Sequence, residues 1–202
     1  MRRACGIARV MLHFLLPVIA LGCASQSHGP AAEPQSDGRA VVSQPVEQSA
    51  QRVEQNGFST RCPSGWKRVD KGGDYALATV PDGSGGGEEA PMVAIQVPAL
   101  PPHIPGFLPL GGVADGYVQD LKKRYPDQKV DEKVAAKLDG ADARRIVSSF
   151  QNRGKPWREL ALLAVHGDHV YVMTGNCDAS AFDKTKSAFD ALAASLKWTQ
   201  NK

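Results

Sequence analysis

An apolar run at the start, a long polar stretch without aromatic residues, and a series of short apolar segments divide this chain into three zones. The third zone carries the fold. Residues 58–62 read as a short strand closed by the turn Pro63-Ser64-Gly65, and residues 66–69 and 75–80 read as two more. Residues 92–97 place Val93, Ile95 and Val97 on one face of a strand. Between them, Asp82-Gly83-Ser84-Gly85-Gly86-Gly87 lacks the Gly-Lys-Ser/Thr ending of a phosphate-binding loop and reads as a flexible linker.

The period then changes. Leu110, Val113, Ala114, Tyr117, Val118 and Leu121 recur at helical spacing, and Pro126 ends that helix. Residues 130–138 and 143–151 form a strand pair turning at Asp139-Gly140. Residues 157–166 and 169–174 form a second hairpin, turning at Gly167-Asp168. Pairing His166 with His169 puts Leu163, Val165, Val170 and Val172 on one face. Leu160, Leu162, Ala164, Tyr171 and Met173 fall on the other. Both faces are apolar, so this hairpin is expected at the centre of a sheet covered on both sides. Phe182, Thr185, Phe189, Leu192, Ala193 and Leu196 make the stripe of a closing helix, with Ser180 as its cap. The expected fold class is α+β, an antiparallel sheet sandwiched by helices.

The first two zones concern placement. Arg2, Arg3 and Arg9 precede an apolar run over residues 10–22, interrupted by His13 and Pro17. The run is too short for a bilayer-spanning helix, which needs about 20 residues. A basic start, a short apolar core and small residues before a cut site make a signal peptide. Ile19-Ala20-Leu21-Gly22-Cys23 resembles the lipobox of bacterial lipoproteins, in which the cysteine thiol is acylated and the signal is cut just before it. Cys23 is therefore the expected lipidation site, although Ala20 stands where leucine is commonest. Ordinary secretion with cleavage after Ala24 is the alternative. Residues 23–56, rich in Pro, Ser, Gln and Ala, read as a disordered tether. The folded domain is expected over residues 57–198, followed by a tail at 199–202.

Charge changes the picture once the signal is removed. The whole chain has 24 basic and 21 acidic side chains, and the three arginines of the signal leave 24 − 3 = 21 against 21. No basic stripe remains to neutralise phosphates along a nucleic acid, so nucleic-acid binding is not expected. Membrane attachment would come from the lipid. Of four cysteines, Cys5 leaves with the signal and Cys23 is acylated, which leaves Cys62 and Cys177 as an even pair in an oxidising compartment. A Cys62–Cys177 disulfide is expected.

Candidate chemistry is sparse. His166 and His169 face each other across a two-residue turn and could share a metal with Asp168 or His103, but no convincing third ligand is in sight. Flanking an exposed turn is the plainer role for both. No Gly-x-Ser-x-Gly or His-Glu-x-x-His motif occurs, and Ser64 and Ser84 are ordinary turn residues. No cofactor is expected. Residues 98–109 hold five prolines and cannot form a regular helix or central strand. Leu100, Ile104, Phe107 and Leu108 in that segment either fold onto the core or form a partner surface.

The order Phe58…Cys62-Pro63-Ser64-Gly65-Trp66, a proline-ended strand, a helix, meandering strands, Val170-Tyr171-Val172-Met173-Thr174 and Phe182-Asp183…Phe189…Ser195-Leu196 resembles the PsbP-like and DcrB-like domains. The resemblance covers about residues 57–198. It implies an exported, mostly non-catalytic module with no shared catalytic residue. The expected function is a lipid-anchored, non-enzymatic binding or accessory module of the bacterial cell envelope, on the outer membrane facing the periplasm. Its expected partners are the membrane, through the lipid, and an envelope protein. A metal-dependent or hydrolytic enzyme using His166 and His169 is the alternative, and a small-ligand carrier is a third.

Overall fold

The computed structural model describes residues 52–98 and 109–199. The chain begins with the hairpin β1 (Arg52–Gln55) and β2 (Phe58–Arg61), then β3 (Trp66–Arg68), β4 (Tyr75–Pro81) and β5 (Met92–Gln96). Helix α1 (Leu110–Arg124) leads into a meander of β6 (Lys129–Leu138), β7 (Ala141–Asn152), β8 (Lys155–His166) and β9 (His169–Asp178). A single 3-10 turn (Ala179–Ala181), helix α2 (Phe182–Ser195) and the two-residue β10 (Lys197–Trp198) complete it. The domain therefore starts by Arg52 rather than at residue 57. β1 escapes a sequence reading because only Val53 of its four residues is buried, so no period shows.

Seven strands form an antiparallel sheet in the order β3-β4-β5-β9-β8-β7-β6. The expected central hairpin is there, with His166 paired to His169 and Ala164 to Tyr171. One face packs against α2 through Leu160, Leu162, Ala164, Tyr171, Met173, Phe182, Phe189 and Leu192. The other packs against α1, where Ala161, Leu163, Val170 and Val172 meet Ala114 and its half-buried neighbours Val113, Tyr117 and Val118. This is the expected α+β sandwich.

Two local expectations are corrected. The sheet is not single: β1, β2 and β10 form a separate three-stranded sheet in the order β1-β2-β10. And Ser180 does not cap the last helix. Asp178 caps the 3-10 turn before it, its carboxylate accepting from the Ser180 amide at 2.9 Å and from its hydroxyl at 2.6 Å, and α2 itself follows Ala181 with no side-chain cap. Gly175 has a packing role. A Cβ there would lie 3.2 Å from Phe189 Cδ2 and 3.4 Å from Thr185 Cγ2, so α2 approaches β9 as closely as it does only over a glycine.

Among the described residues no helix is long and apolar enough to cross a membrane. Leu100, Ile104, Phe107, Leu108 and His103, like Cys23 and the tether before residue 52, lie outside the described residues.

Candidate functional site

Three turns meet at one end of the domain, and β10 joins them. The β1–β2 turn has positive φ at Asn56 (49°) and Gly57 (76°), and the β6–β7 turn at Asp139 (44°) and Gly140 (84°). These are the left-handed pairs that tight hairpins require and that Asn-Gly and Asp-Gly supply most cheaply. The Gly167-Asp168 turn of β8–β9 lies beside them. Thr199 donates its amide to the Gly57 carbonyl at 2.9 Å. The Trp198 amide donates to the Asp139 carboxylate at 2.9 Å, and its indole Nε1 to the Leu138 carbonyl at 3.1 Å. The Tyr171 hydroxyl donates to the Asn56 carbonyl at 2.8 Å.

On this frame His166 lies flat against Trp198, with ring centroids 4.3 Å apart and planes within 7°. Trp198 also meets Tyr171 at 4.7 Å. Such aromatic contacts are worth about 0.5–1.5 kcal/mol beyond the area they bury. His166 is exposed and His169 half-exposed. His169 Nδ1 lies 2.5 Å from the Asp168 carboxylate on the same turn. Lys197 holds Asp139 from the other side at 2.7 Å. That hydrogen bond, then the one from the Trp198 amide, keeps the Asp139 carboxyl below its ordinary range.

Among the described residues the geometry gives the two-histidine metal reading no third ligand; His103 lies outside them. Among the described residues no group of three or more His, Cys, Asp or Glu is placed to hold a metal. The His166 ring stacks on an indole, and His169 is engaged with its neighbour in sequence.

The expected Cys62–Cys177 disulfide is not formed. Both cysteines are free and buried. Cys62 follows β2 in the small sheet, and its thiol donates to the Trp66 carbonyl at 3.1 Å across the Pro63-Ser64-Gly65 turn. Cys177 belongs to β9 of the large sheet, paired in register with Arg158. The two contribute to one core, Cys62 from the loop between β2 and β3 and Cys177 from a strand of the large sheet. Burial pushes both thiols up from their ordinary value, which keeps them protonated and poor nucleophiles.

The α1 side of the sheet holds a group that the sequence reading passed over. Glu159, on β8, is 6% exposed. The Tyr117 hydroxyl of α1 donates to it at 2.5 Å. Burial raises the Glu159 carboxyl; the Tyr117 bond and then the Arg124 charge oppose that rise. Tyr117 is pushed well up, by burial first and then by the Glu159 charge. Nearby, the Gln128 side chain donates to Ser148 Oγ at 2.9 Å, with both residues buried. A glutamate breaking an otherwise apolar strand, opposite a helical stripe that carries a tyrosine, was the available signal.

No family model matches the chain, and no curated protein matches it. Solved structures do. Cyanobacterial PsbP (CyanoP) from Synechocystis sp. PCC 6803 is similar with a TM-score of 0.55 and 14% identity, over 77% of this chain and 96% of that one. The domain has a PsbP-like fold. LpqN of Mycobacterium tuberculosis, described as involved in cell envelope biogenesis, is similar with a TM-score of 0.56 and 14% identity. That match covers 77% of this chain and 88% of LpqN. At this identity the PsbP-like likeness concerns the arrangement of strands and helices, and the chemistry of the site has to be argued from this chain's own residues.

Proposed function

We propose that this protein is a lipid-anchored, non-enzymatic binding or accessory module of the bacterial cell envelope. The observation that carries the reading is the turn end of the domain. His166 and Trp198 form a partly exposed aromatic pair there, packed on the buried Tyr171 and held by hydrogen bonds to the β1–β2 and β6–β7 turns. Tyr and Trp supply contact area at low entropy cost and are favoured where proteins meet. The functional groups at this end hold one another in place rather than facing a substrate. The PsbP-like fold and the envelope role described for LpqN support the same reading.

Placement rests on the sequence. Gly22-Cys23 ends the apolar run, and 28 residues (24–51) separate Cys23 from β1. Ala24 is not the aspartate that often retains lipoproteins at the inner membrane, which favours the outer membrane facing the periplasm. The apolar residues Leu100, Ile104, Phe107 and Leu108 are the proposed second contact region. Replacing Ile104 and Phe107 by polar residues is expected to weaken a complex with little change in melting temperature. A large fall in stability would instead place them in the core, since each buried side chain is worth about 1.5–3 kcal/mol. The test of the module reading is crosslinking and pull-down from intact envelopes, with crosslinkers at His166 and at Ile104. A discrete envelope protein recovered from either position supports it. Recovery of no protein from both positions contradicts it.

A further inference from the structure

We propose that the open cavity on the outer face of the β1–β2–β10 sheet binds a phosphate-type oxyanion. The cavity has a volume of about 270 Å³ and is lined by Arg52, Ser59, Thr60, Arg61, Ser195 and Lys197. No apolar side chain and no carboxylate is among them.

The register explains how these residues come together. Arg52 and Arg61 are directly paired across β1 and β2, and Ser59 is paired with Glu54 on one side and Lys197 on the other. Side chains directly opposite one another on an antiparallel pair share a face, so both guanidinium groups project from the same side. Like charges in that position destabilise a strand pair unless something neutralises them. Little in the domain does. Glu54 is 4.0 Å from Arg52, and both are well exposed; such a pair is weak in water. Lys197 is engaged with Asp139 at 2.7 Å. Among the described residues Arg61 has no ion-pair partner.

Thr60, between Ser59 and Arg61 on β2, faces the opposite side of the sheet, where hydroxyls tie the strand to α2. Thr60 Oγ1 and Ser195 Oγ are 2.7 Å apart, Thr60 donates to the Leu192 carbonyl at 3.2 Å, and the Arg61 amide donates to Ser195 Oγ at 3.1 Å. The end of α2 is thereby fastened to β2 at Arg61. Arg52 donates to Ser59 Oγ at 3.2 Å, which leaves further N–H groups of its fork available. Two guanidinium forks beside the Ser59 hydroxyl match the several oxygens of a phosphate better than a point charge does. The volume leaves room for the group with some of its water, each water taking about 30 Å³.

An anionic lipid headgroup and a soluble phosphate present the same chemistry here, and the experiment separates them. The mature chain from residue 23, carrying Cys23→Ser so that no acyl group contributes, is titrated with two probes. One is vesicles of phosphatidylglycerol in phosphatidylcholine, against phosphatidylcholine alone. The other is inorganic phosphate, followed by NMR at the β2 and β10 amides. Arg52→Gln/Arg61→Gln is expected to weaken binding of the responding probe at least tenfold, with circular dichroism unchanged. Lys129→Gln/Lys133→Gln, on the β6 edge, is expected to leave it within twofold. Arginine-dependent vesicle binding alone assigns the site to a lipid headgroup, and arginine-dependent phosphate binding alone to a soluble phosphate. Either supports the site, and neither depends on Cys23 being acylated in the cell. Absence of binding to both probes, or equal loss in the two double variants, overturns it.

Discussion

The two faces of the seven-stranded sheet are built from the same strands but to different rules. The α2 face is closed and apolar, and the few polar groups buried in it are hydroxyls, as where Thr79 donates to the Val93 carbonyl at 3.0 Å. The α1 face has a smaller apolar cluster, and beside it a carboxyl, a phenol, an amide and a hydroxyl inside the protein. Helix α1 buries only Ala114 and Leu121, whereas α2 buries Phe182, Thr185, Ala188, Phe189 and Leu192. The difference teaches that α2 holds the domain together, while α1 is a lighter cover over polar groups that titrate.

The comparison breaks most sharply at Phe189. Phe189→Ala is expected to cost about 3–5 kcal/mol in chemical denaturation, because a 1%-exposed ring leaves a cavity. Gly175→Ala, which adds a methyl group under the same ring, is expected to cost about 1–3 kcal/mol by overpacking. Near-neutral results at both positions would mean that α2 is not the closing element.

A smaller effect tests the other face through pH. The Glu159 carboxyl titrates higher in the folded chain than in the unfolded one, so the folded state binds more protons between the two values. Stability contributed by this group is therefore present below the ordinary glutamate range and falls as pH rises through the folded value. Glu159→Gln keeps an acceptor for Tyr117 and removes that titration. The difference in stability between wild type and variant is expected to shift in favour of the variant as pH rises across this window. A shift in the opposite direction would show Glu159 held as a stabilised carboxylate.

The smallest effect concerns the thiols on the closed side. Without reductant, Cys62 and Cys177 are expected to resist alkylation in the folded protein and to react once it is unfolded. Mass spectrometry reads both states. An unfolded chain with neither thiol alkylated would restore the disulfide.

What the sequence revealed follows from pattern strength. The β8–β9 hairpin and both helices have long, regular apolar periods, and their positions follow directly. The three-stranded sheet did not, because β10 has two residues and β1 is mostly exposed. The basic cavity was hidden for a related reason. Arg52 and Arg61 are nine positions apart, and only the hairpin register makes them neighbours. The histidine pairing was legible, but not that the His166 ring would stack on Trp198, which comes from 32 positions further along the chain. The even pair of mature-chain cysteines gave no geometry at all: Cys62 went to the loop after β2 and Cys177 to β9.

The central claim, a binding module held at the envelope by lipid, is tested most directly at Cys23. Cells fed a fatty-acid analogue should label the wild-type chain, and that chain should fractionate with membranes. Cys23→Ser should take up no label and leave the membrane fraction. An unlabelled wild-type chain, or a Cys23→Ser chain that still fractionates with membranes, would contradict the account.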